Sequence, residues 1–254
     1  MDKFYTKSKD EIEIMAECGQ KLARVKKALF DKVAEGVSAD DIEQLAVELI
    51  EKEEAEASFK KVPGYSWATC VNVNAGLVHG IPKKEIVFKK GDIVSVDLGV
   101  YFKGFHTDCS FSKGVDVDFE IEKFLTVGKE ALKKAIAVTI VGNRIYDISE
   151  AIEKTVISAG YSPIRALVGH GVGRELHEDP QIPCFLPGPK EESMEIAEGA
   201  TFAIEVMYAL GGSDLVQEND GWTISTQDGK ISALFEETVA VVDGRPKVLT
   251  DFFG

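Results

Sequence analysis

The segment DIVSVDLGVYFKGFHTDCSF (residues 92–111) decides the fold of this chain. It begins with a nearly continuous apolar run that has Asp97 in its middle, which is typical of a buried β-strand. A Lys103-Gly104 turn follows, and the chain returns as a second strand that contains Asp108. Such a hairpin can bring the two carboxylates side by side across its ladder. Neighbouring carboxylates repel unless they share a proton or a metal ion. Two independent aspartates, in turns or in salt bridges, would give the same sequence pattern.

Two later segments repeat the feature of one acid within an apolar run, namely Glu205 in TFAIEVMYA and Glu236 in SALFEETVAVV. Burying an unpaired carboxylate is very costly, so each of these acids needs a partner. Together with His170 they complete a set of four carboxylates and one imidazole, which can hold two divalent cations. Because the set has no thiolate, it suits Mn, Fe or Co at least as well as Zn. Two such ions can activate a water molecule and polarise a carbonyl group.

Three of the four histidines lie in sequence that suggests a site. His170 has a glycine on each side, which lets the backbone approach another group closely, and His177 follows seven residues later. His79 lies in LVHGIP and could donate to a substrate. A single buried histidine is more often a hydrogen-bonded core residue, so the residues alone leave both interpretations open.

Helical segments surround these strands. Ser8 begins a capping box and a periodic apolar face that together predict a helix to about Ala34, and Ser38 caps a second helix. The same periodicity predicts a second pair of helices over about 118–138 and 146–158, again followed by strands.

The order helix, helix, strands therefore occurs twice, which indicates an internal pseudo-repeat. We expect a single catalytic domain over residues 1–254, made of two pseudo-symmetric halves at about 8–113 and 118–243. The strands of the two halves would join into one sheet with the helices outside, and a site would lie in the cleft between them.

The composition excludes several classes of function. The chain has 254 residues with 29 basic and 43 acidic side chains, a net charge of −14. This disfavours binding to nucleic acid or to an anionic membrane, since both need basic surface. The four cysteines form no CxxC pair, the charged start lacks a signal sequence, and no apolar stretch reaches about 20 residues. We expect a cytoplasmic protein, with a monomer as the default state.

At this point the chain resembles the type I methionine aminopeptidases, which have the α+β pita-bread (creatinase/aminopeptidase-like) fold, a pseudo-twofold duplication with an antiparallel sheet and helices outside. The resemblance runs from about Ile12 to Val242. The motifs that carry it are, in chain order, HGIP (79–82), Asp97 and Asp108, GHGVGRELHEDP (169–180), the strand with Glu205, Trp222 and FEET (235–238).

The resemblance implies a metalloaminopeptidase that removes the initiator methionine of nascent proteins when the second residue is small. It implies that Asp97 binds one of two metal ions, that Asp108 and Glu236 bridge both, and that His170 and Glu205 complete the other. A metal-activated water would attack the substrate, with Glu205 assisting its proton transfers. Mn, Fe(II), Co and Zn all remain candidates, and transient contact with the ribosome is compatible with this role.

The resemblance also implies two further catalytic residues and a specificity pocket. His177 would stabilise the tetrahedral intermediate, and His79 would contact the substrate near the scissile amide. The pocket for the methionine side chain would be lined by Phe59, Tyr65, Cys70, Leu176 and Trp222, together with the two histidines, and such an apolar slot suits a thioether.

The chain departs from the family pattern at Ala75, Leu176 and Val206 and in the segment around Phe59–Ser66, and none of these departures removes a proposed ligand. Two alternatives follow from the same fold. One is an Xaa-Pro aminopeptidase or prolidase, which usually carries an additional amino-terminal domain. The other is a non-catalytic pita-bread protein that binds a peptide or another protein and has typically lost its metal ligands.

Overall fold

The structure, a computed structural model, describes residues 5–251, within which there are four α-helices and thirteen β-strands. The helices are α1 (Lys9–Lys32), α2 (Ala39–Lys52), α3 (Phe119–Ala137) and α4 (Ile145–Ser158). The strands are β1 (Glu56–Ala57), β2 (Thr69–Val73), β3 (Gly76–Val78), β4 (Ile93–Phe102), β5 (Phe105–Gly114), β6 (Ser162–Pro163), β7 (Val168–Gly171), β8 (Glu178–Pro183), β9 (Thr201–Ala209), β10 (Leu215–Gln217), β11 (Ile224–Thr226), β12 (Ser232–Val242) and β13 (Arg245–Val248).

Capping side chains set the starts of the helices. The Ser8 hydroxyl accepts a hydrogen bond from the N–H of Glu11, and the Glu11 carboxylate accepts one from the N–H of Ser8, which confirms the predicted capping box. A second capping box begins α2 at Ser38. At α3 the side chain of Asp118 accepts from the N–H of Ile121. The four predicted helices are all present, and the ends of α1, α3 and α4 lie within two residues of the predicted ones, whereas α2 ends at Lys52, before Glu56, to which the acidic residues predict a helical tail.

The main sheet is antiparallel throughout and has the strand order β1-β4-β5-β12-β9-β7-β8. Three further strands extend it, because β2 pairs with β4, β6 with β9, and β13 with β12. A separate three-stranded sheet has the order β10-β11-β3. The predicted β4–β5 hairpin therefore lies beside the β9–β12 pair at the centre of the main sheet.

The seam between β5 and β12 is joined in an unusual way. Ser110 and Glu236 are its one ladder pair among the described residues. Two residues beyond Ser110, the Ser112 hydroxyl bonds both the N–H and the carbonyl of Leu234. Two residues beyond Glu236, the Thr238 hydroxyl bonds the N–H and the carbonyl of Asp108 in the same way. The seam is therefore pseudo-symmetric about its central pair, and hydroxyls replace backbone partners on both sides of it.

The helices cover one face of the main sheet. Helices α1 and α2 bury an apolar core against β4 and β5, and α3 and α4 bury another against β9 and β12. Since side chains alternate along a strand, every second residue of these strands points to the opposite face. The predicted α+β arrangement of an antiparallel sheet with helices outside is confirmed. Within residues 5–251, no helix is both long and apolar enough to cross a membrane.

Candidate metal centre

Four acidic side chains lie on the face of the main sheet that the helices leave open. The strand register places Asp97 opposite Ser110, Ser110 opposite Glu236, and Glu236 opposite Glu205. Directly opposite residues share a face of a sheet, so the three acids form a row across four strands. Asp108 pairs with Gly99, one pleat along β5, so it is the diagonal neighbour of Asp97 rather than its direct partner.

A histidine from the next strand joins this row. His170 on β7 pairs with Ala203 of β9, and its Nε2 lies 3.6 Å from Oε1 of Glu205. Ligand atoms of Asp108, His170 and Glu236 all lie within 4.8 Å of one another. The Nδ1 of His170 is 2.8 Å from the carbonyl oxygen of Gly171. That carbonyl can only accept, so Nδ1 carries the proton and Nε2 keeps its lone pair towards the carboxylates.

Burial and mutual repulsion disfavour charge on these carboxylates. Burial raises the pKa of Asp97 to about 7. Burial, followed by the negative charges of the neighbouring acids, raises the pKa values of Asp108, Glu205 and Glu236 well above their usual range. Burial also lowers the pKa of His170 to about 3, so this imidazole is neutral at physiological pH.

The side chains fit divalent cations. Oδ1 of Asp97 and Oε1 of Glu236 are buried, and neither has a hydrogen-bond partner. Buried polar atoms are rarely left without a partner, and an unmet carboxylate oxygen is a ligand that a hard cation takes. A neutral imidazole with a free Nε2 is likewise ready to coordinate a metal. The four carboxylates, the imidazole and the absence of a thiolate suit Mn, Fe or Co as well as Zn.

The acids form the floor of a cavity of about 190 Å³. Its walls are mostly apolar, with Tyr65 at their centre, whose ring lies 5.0 Å from that of Trp222 and 6.5 Å from that of Phe59. The Tyr65 hydroxyl donates a hydrogen bond to the carbonyl of Thr69, so the hydroxyl is engaged and the aromatic ring forms the cavity wall. The residues lining the cavity are Phe59, Val62, Tyr65, Cys70, Val78, His79, Asp97, Asp108, His170, Leu176, His177, Glu205, Trp222 and Glu236.

Every residue that the sequence analysis assigned to the site borders this one cavity, while their individual roles stay predictions. Two wall residues were not anticipated, Val62 and Val78. Val78 directly precedes His79, and that proximity was the one signal that could have indicated it. Val62 lies in an irregular segment, where no periodicity shows which way a side chain points.

The two remaining histidines of the cavity are exposed at its rim. The ring of His177 lies 4.5 Å from that of His170 in an edge-to-face arrangement. His79 has a φ of +57°, which is uncommon for a residue with a side chain and directs it from the end of β3 towards the cavity. Partial burial lowers the pKa of both, and for His79 the nearby His177 lowers it further. Both rings are therefore neutral at pH 7 and able to donate a hydrogen bond.

Comparison with known proteins identifies the group to which this geometry belongs. Residues 13–243 match the sequence model of metallopeptidase family M24. The methionine aminopeptidase of Borreliella burgdorferi is 40% identical over 99% of this chain and 100% of its own length. The crystal structure of a methionine aminopeptidase from Thermotoga maritima superposes with a TM-score of 0.95 at 40% identity, covering 98% of this chain and all of that one.

A more distant likeness concerns the fold alone. The prolidase from Pyrococcus furiosus superposes with a TM-score of 0.78 at 21% identity, over 97% of this chain and 65% of the prolidase. The predicted pita-bread fold is thereby confirmed, because aminopeptidases and a prolidase share it with this chain.

Proposed function

This chain belongs to metallopeptidase family M24, and we propose that it is a methionine aminopeptidase of the type I, bacterial-like group. It removes the initiator methionine from the amino termini of new proteins. The observation that carries this proposal is the row of buried acids beside His170, which forms the floor of a cavity with apolar walls. A buried set of acids with unmet oxygens supports metal chemistry, and an apolar slot next to it supports an uncharged side chain such as methionine.

We propose that the centre holds two divalent ions, of Mn, Fe(II), Co or Zn. Four carboxylates carry enough negative charge to neutralise two such ions. Asp97 would bind one ion, His170 and Glu205 the other, and Asp108 and Glu236 would lie between them. When bound, the ions activate a water molecule and polarise the scissile carbonyl group.

The protein side chains would then move and hold protons. Glu205, whose pKa burial raises, would accept a proton from the attacking water and deliver it to the leaving amine. His177 would donate a hydrogen bond to the oxygen that becomes negative in the tetrahedral intermediate. His79, which also lines the cavity, would hold the amide nitrogen of the scissile bond. Both histidines are neutral donors, which suits these roles.

The walls of the cavity would set the specificity. Phe59, Tyr65 and Trp222 present aromatic rings, and Cys70 and Leu176 complete an apolar pocket that is dry enough to favour a thioether. We propose that a small second residue is required, as the family resemblance implies. Of the departures from the family pattern, Leu176 borders this pocket, whereas Val206 is buried in the core on the helix side of the sheet, and both leave the five proposed ligand side chains in place.

We further propose that the protein acts as a monomer in the cytoplasm, where new chains emerge. The four cysteines are free and buried, which suits a reducing compartment. Contact with the ribosome would be transient.

The test is to strip the purified protein with a chelator, add back Mn, Fe(II), Co or Zn, and compare hydrolysis of Met-Ala-Ser with that of Ala-Pro-Ala. Metal-dependent release of methionine alone is the expected result, with two ions bound per chain by titration calorimetry. Cleavage of Ala-Pro-Ala instead would assign the proline-specific branch of the fold. Bound metal without cleavage of either peptide would favour a binding protein.

A further inference from the structure

The segment that precedes α1 inserts a lysine into the loop that carries His177. The Nζ of Lys7 lies 2.5 Å from Oε2 of Glu178, and both side chains are almost fully buried, 3% and 5% exposed. Glu178 directly follows His177. We call residues 171–178 the His177 loop; its residues 172–177 form no regular strand or helix. A buried pair of charges at this place joins the beginning of the chain to a wall of the cavity.

The other oxygen of Glu178 closes the loop on itself. Oε1 accepts hydrogen bonds from the backbone N–H groups of Arg174, at 2.7 Å, and Glu175, at 3.2 Å. One carboxylate therefore holds the lysine with one oxygen and the turn before Leu176 with the other. Because carboxylate hydrogen bonds of this kind are stronger than neutral ones, the loop conformation depends on where Glu178 is held.

The protein makes room for Lys7 with two glycines. A Cβ atom at Gly173 would lie 2.2 Å from Cε of Lys7, and one at Gly199 would lie 2.4 Å from the Lys7 carbonyl oxygen. The N–H of Lys7 also donates to the carbonyl of Gly199 at 2.7 Å. A larger side chain at Gly173 would collide with the inserted Lys7 side chain, and one at Gly199 would collide with the Lys7 backbone, so Gly173 is the position that leaves room for the lysine side chain.

Two further contacts fasten the same loop to the first half of the chain. The guanidinium of Arg174 pairs with Glu11 of α1. The N–H of His106, at the start of β5, donates to the carbonyl of Gly173 at 2.6 Å. Together with the Lys7–Glu178 pair, these contacts fasten the loop to the first half of the chain, and of the two ion pairs the Lys7–Glu178 pair is the buried one.

We propose that Lys7 is a positioning residue for catalysis: through Glu178 it fixes the His177 loop so that Leu176 and His177 face the cavity. This rests on the proposed function, in which His177 touches the reacting oxygen. Without Lys7, the buried Glu178 carboxylate loses its cation and must draw in water, which releases the turn it holds. A donor that is displaced by a fraction of an ångström stabilises the transition state less while still allowing the substrate to bind.

The experiment compares Lys7→Met with Lys9→Met, the same change two residues away at an exposed position. Two measurements are made on the full chain: steady-state hydrolysis of Met-Ala-Ser with metal, and hydrogen exchange of residues 171–178 by mass spectrometry without metal. Lys7→Met is expected to lower kcat by about 10-fold to 100-fold with KM changed less than about threefold, and to speed exchange within the His177 loop. Lys9→Met should match the unmodified protein in both.

A third variant separates positioning from general stability. Val156→Ala shortens a buried side chain of α4, outside the cavity, and lowers the melting temperature without touching the loop. It should leave kcat unchanged. If Lys7→Met does not fold, Lys7→Gln replaces it, because glutamine can still donate a hydrogen bond to Glu178. The expected fall in kcat and rise in loop exchange are then in the same direction but smaller.

Two results would overturn the proposal. One is an unchanged kcat in Lys7→Met with normal exchange of the loop, and the other is an increase in exchange spread equally over the whole chain. Failure of the proposed function would look different, because the unmodified protein would then release no methionine. The exchange measurement would still decide whether Lys7 holds the loop.

Discussion

Two neighbouring glutamates of β12 have opposite surroundings. Glu237 points to the helices, where its carboxylate pairs with Nζ of Lys26 at 2.6 Å and accepts the hydroxyl of Thr250. Glu236 points to the cavity, and its Oε1 is buried without a partner. Both carboxyls are buried in the same strand, and burial raises the pKa of both. The difference is that the protein supplies a cation, Lys26, for Glu237, whereas the charge of Glu236 has to be neutralised by a bound ion or a proton.

The comparison separates a structural buried acid from a metal ligand by a physical criterion. A matched, structural acid has a cation and hydrogen-bond donors for its carboxylate within the fold. An unmatched acid, which we interpret as a metal ligand, has a carboxylate oxygen without such a partner and points into a cavity. The same criterion distinguishes Glu178, which is matched by Lys7 and two N–H groups, from Asp97, whose Oδ1 has no partner. Four predictions test how far it holds.

The largest effect is expected at the unmatched glutamate. Glu236→Ala removes a carboxylate that would lie between both ions, so turnover of Met-Ala-Ser should fall by at least about 10⁴-fold, and metal stoichiometry by calorimetry should fall with it. The matched neighbour is the control, since Glu237→Gln should still bind metal. Equal loss of metal in both variants would refute the distinction between the two faces.

The next effect concerns the matched pair. Lys26→Met leaves the Glu237 carboxyl buried without its cation and should destabilise the fold by about 3–5 kcal/mol in urea unfolding. The exposed pair of Lys103 with Glu17 is the control, where Lys103→Met should change stability by less than about 1 kcal/mol. The double variant Lys26→Met/Glu237→Met should recover most of the loss. A small effect of Lys26→Met alone would mean that water already reaches the pair.

A third prediction concerns the cavity rim. His177→Ala should lower kcat by about 10²–10³, as expected for the loss of one hydrogen bond to a developing oxyanion. Metal affinity should be unchanged, because His177 is not among the proposed ligands. An unchanged kcat would remove His177 from the mechanism and, with it, the purpose of the Lys7–Glu178 pair.

The smallest effect is a pH dependence that the unmatched acids alone should produce. Above about pH 7.5 the histidines, whose pKa values the fold lowers from an unfolded value near 6.5, are neutral in both the folded and the unfolded state. The cavity acids have raised pKa values, about 7 for Asp97, so the folded metal-free protein retains protons that the unfolded chain has lost. Stability must then decrease as pH rises from about 7.5 to about 8.5, by about 1.4 kcal/mol per pH unit for each retained proton.

The measurement is the melting temperature of the chelated protein between about pH 7.5 and about pH 8.5. Added metal should stabilise the fold more at about pH 8.5 than at about pH 7.5, because fewer protons then compete for the carboxylates. A melting temperature of the metal-free protein that rises over this interval would contradict the inferred protonation of the site.

Local patterns made much of the fold predictable. The Ser8 capping box and the apolar face that follows it specify α1, and the apolar run around Asp97 with its Lys103-Gly104 turn specifies the β4–β5 hairpin. These signals act between residues that are close in the chain, so they are readable one segment at a time. Strands as short as β1 and β6 carry no such signal, since two residues show no period.

The candidate site was predictable as a set of residues but not as an arrangement. One acid in each apolar strand indicated a shared purpose, and the resemblance supplied the roles. The diagonal placement of Asp97 and Asp108 follows from the register of the hairpin, which the residues alone left open. The opposite orientations of Glu236 and Glu237 could be expected from alternation, but nothing in the sequence pointed to Lys26 as the partner of one of them.

By itself, the sequence determined the helices, the long strands and the presence of a metal-binding set of acids, because each depends on periodicity or on one costly residue type in an apolar run. Only the tertiary structure decided which acids are matched. The partners of Glu178 and Glu237 lie 171 and 211 residues away in the chain, at Lys7 and Lys26. Lysines are common on surfaces, and a lysine becomes buried and specific only when the packing of a distant segment surrounds it, which no local pattern encodes.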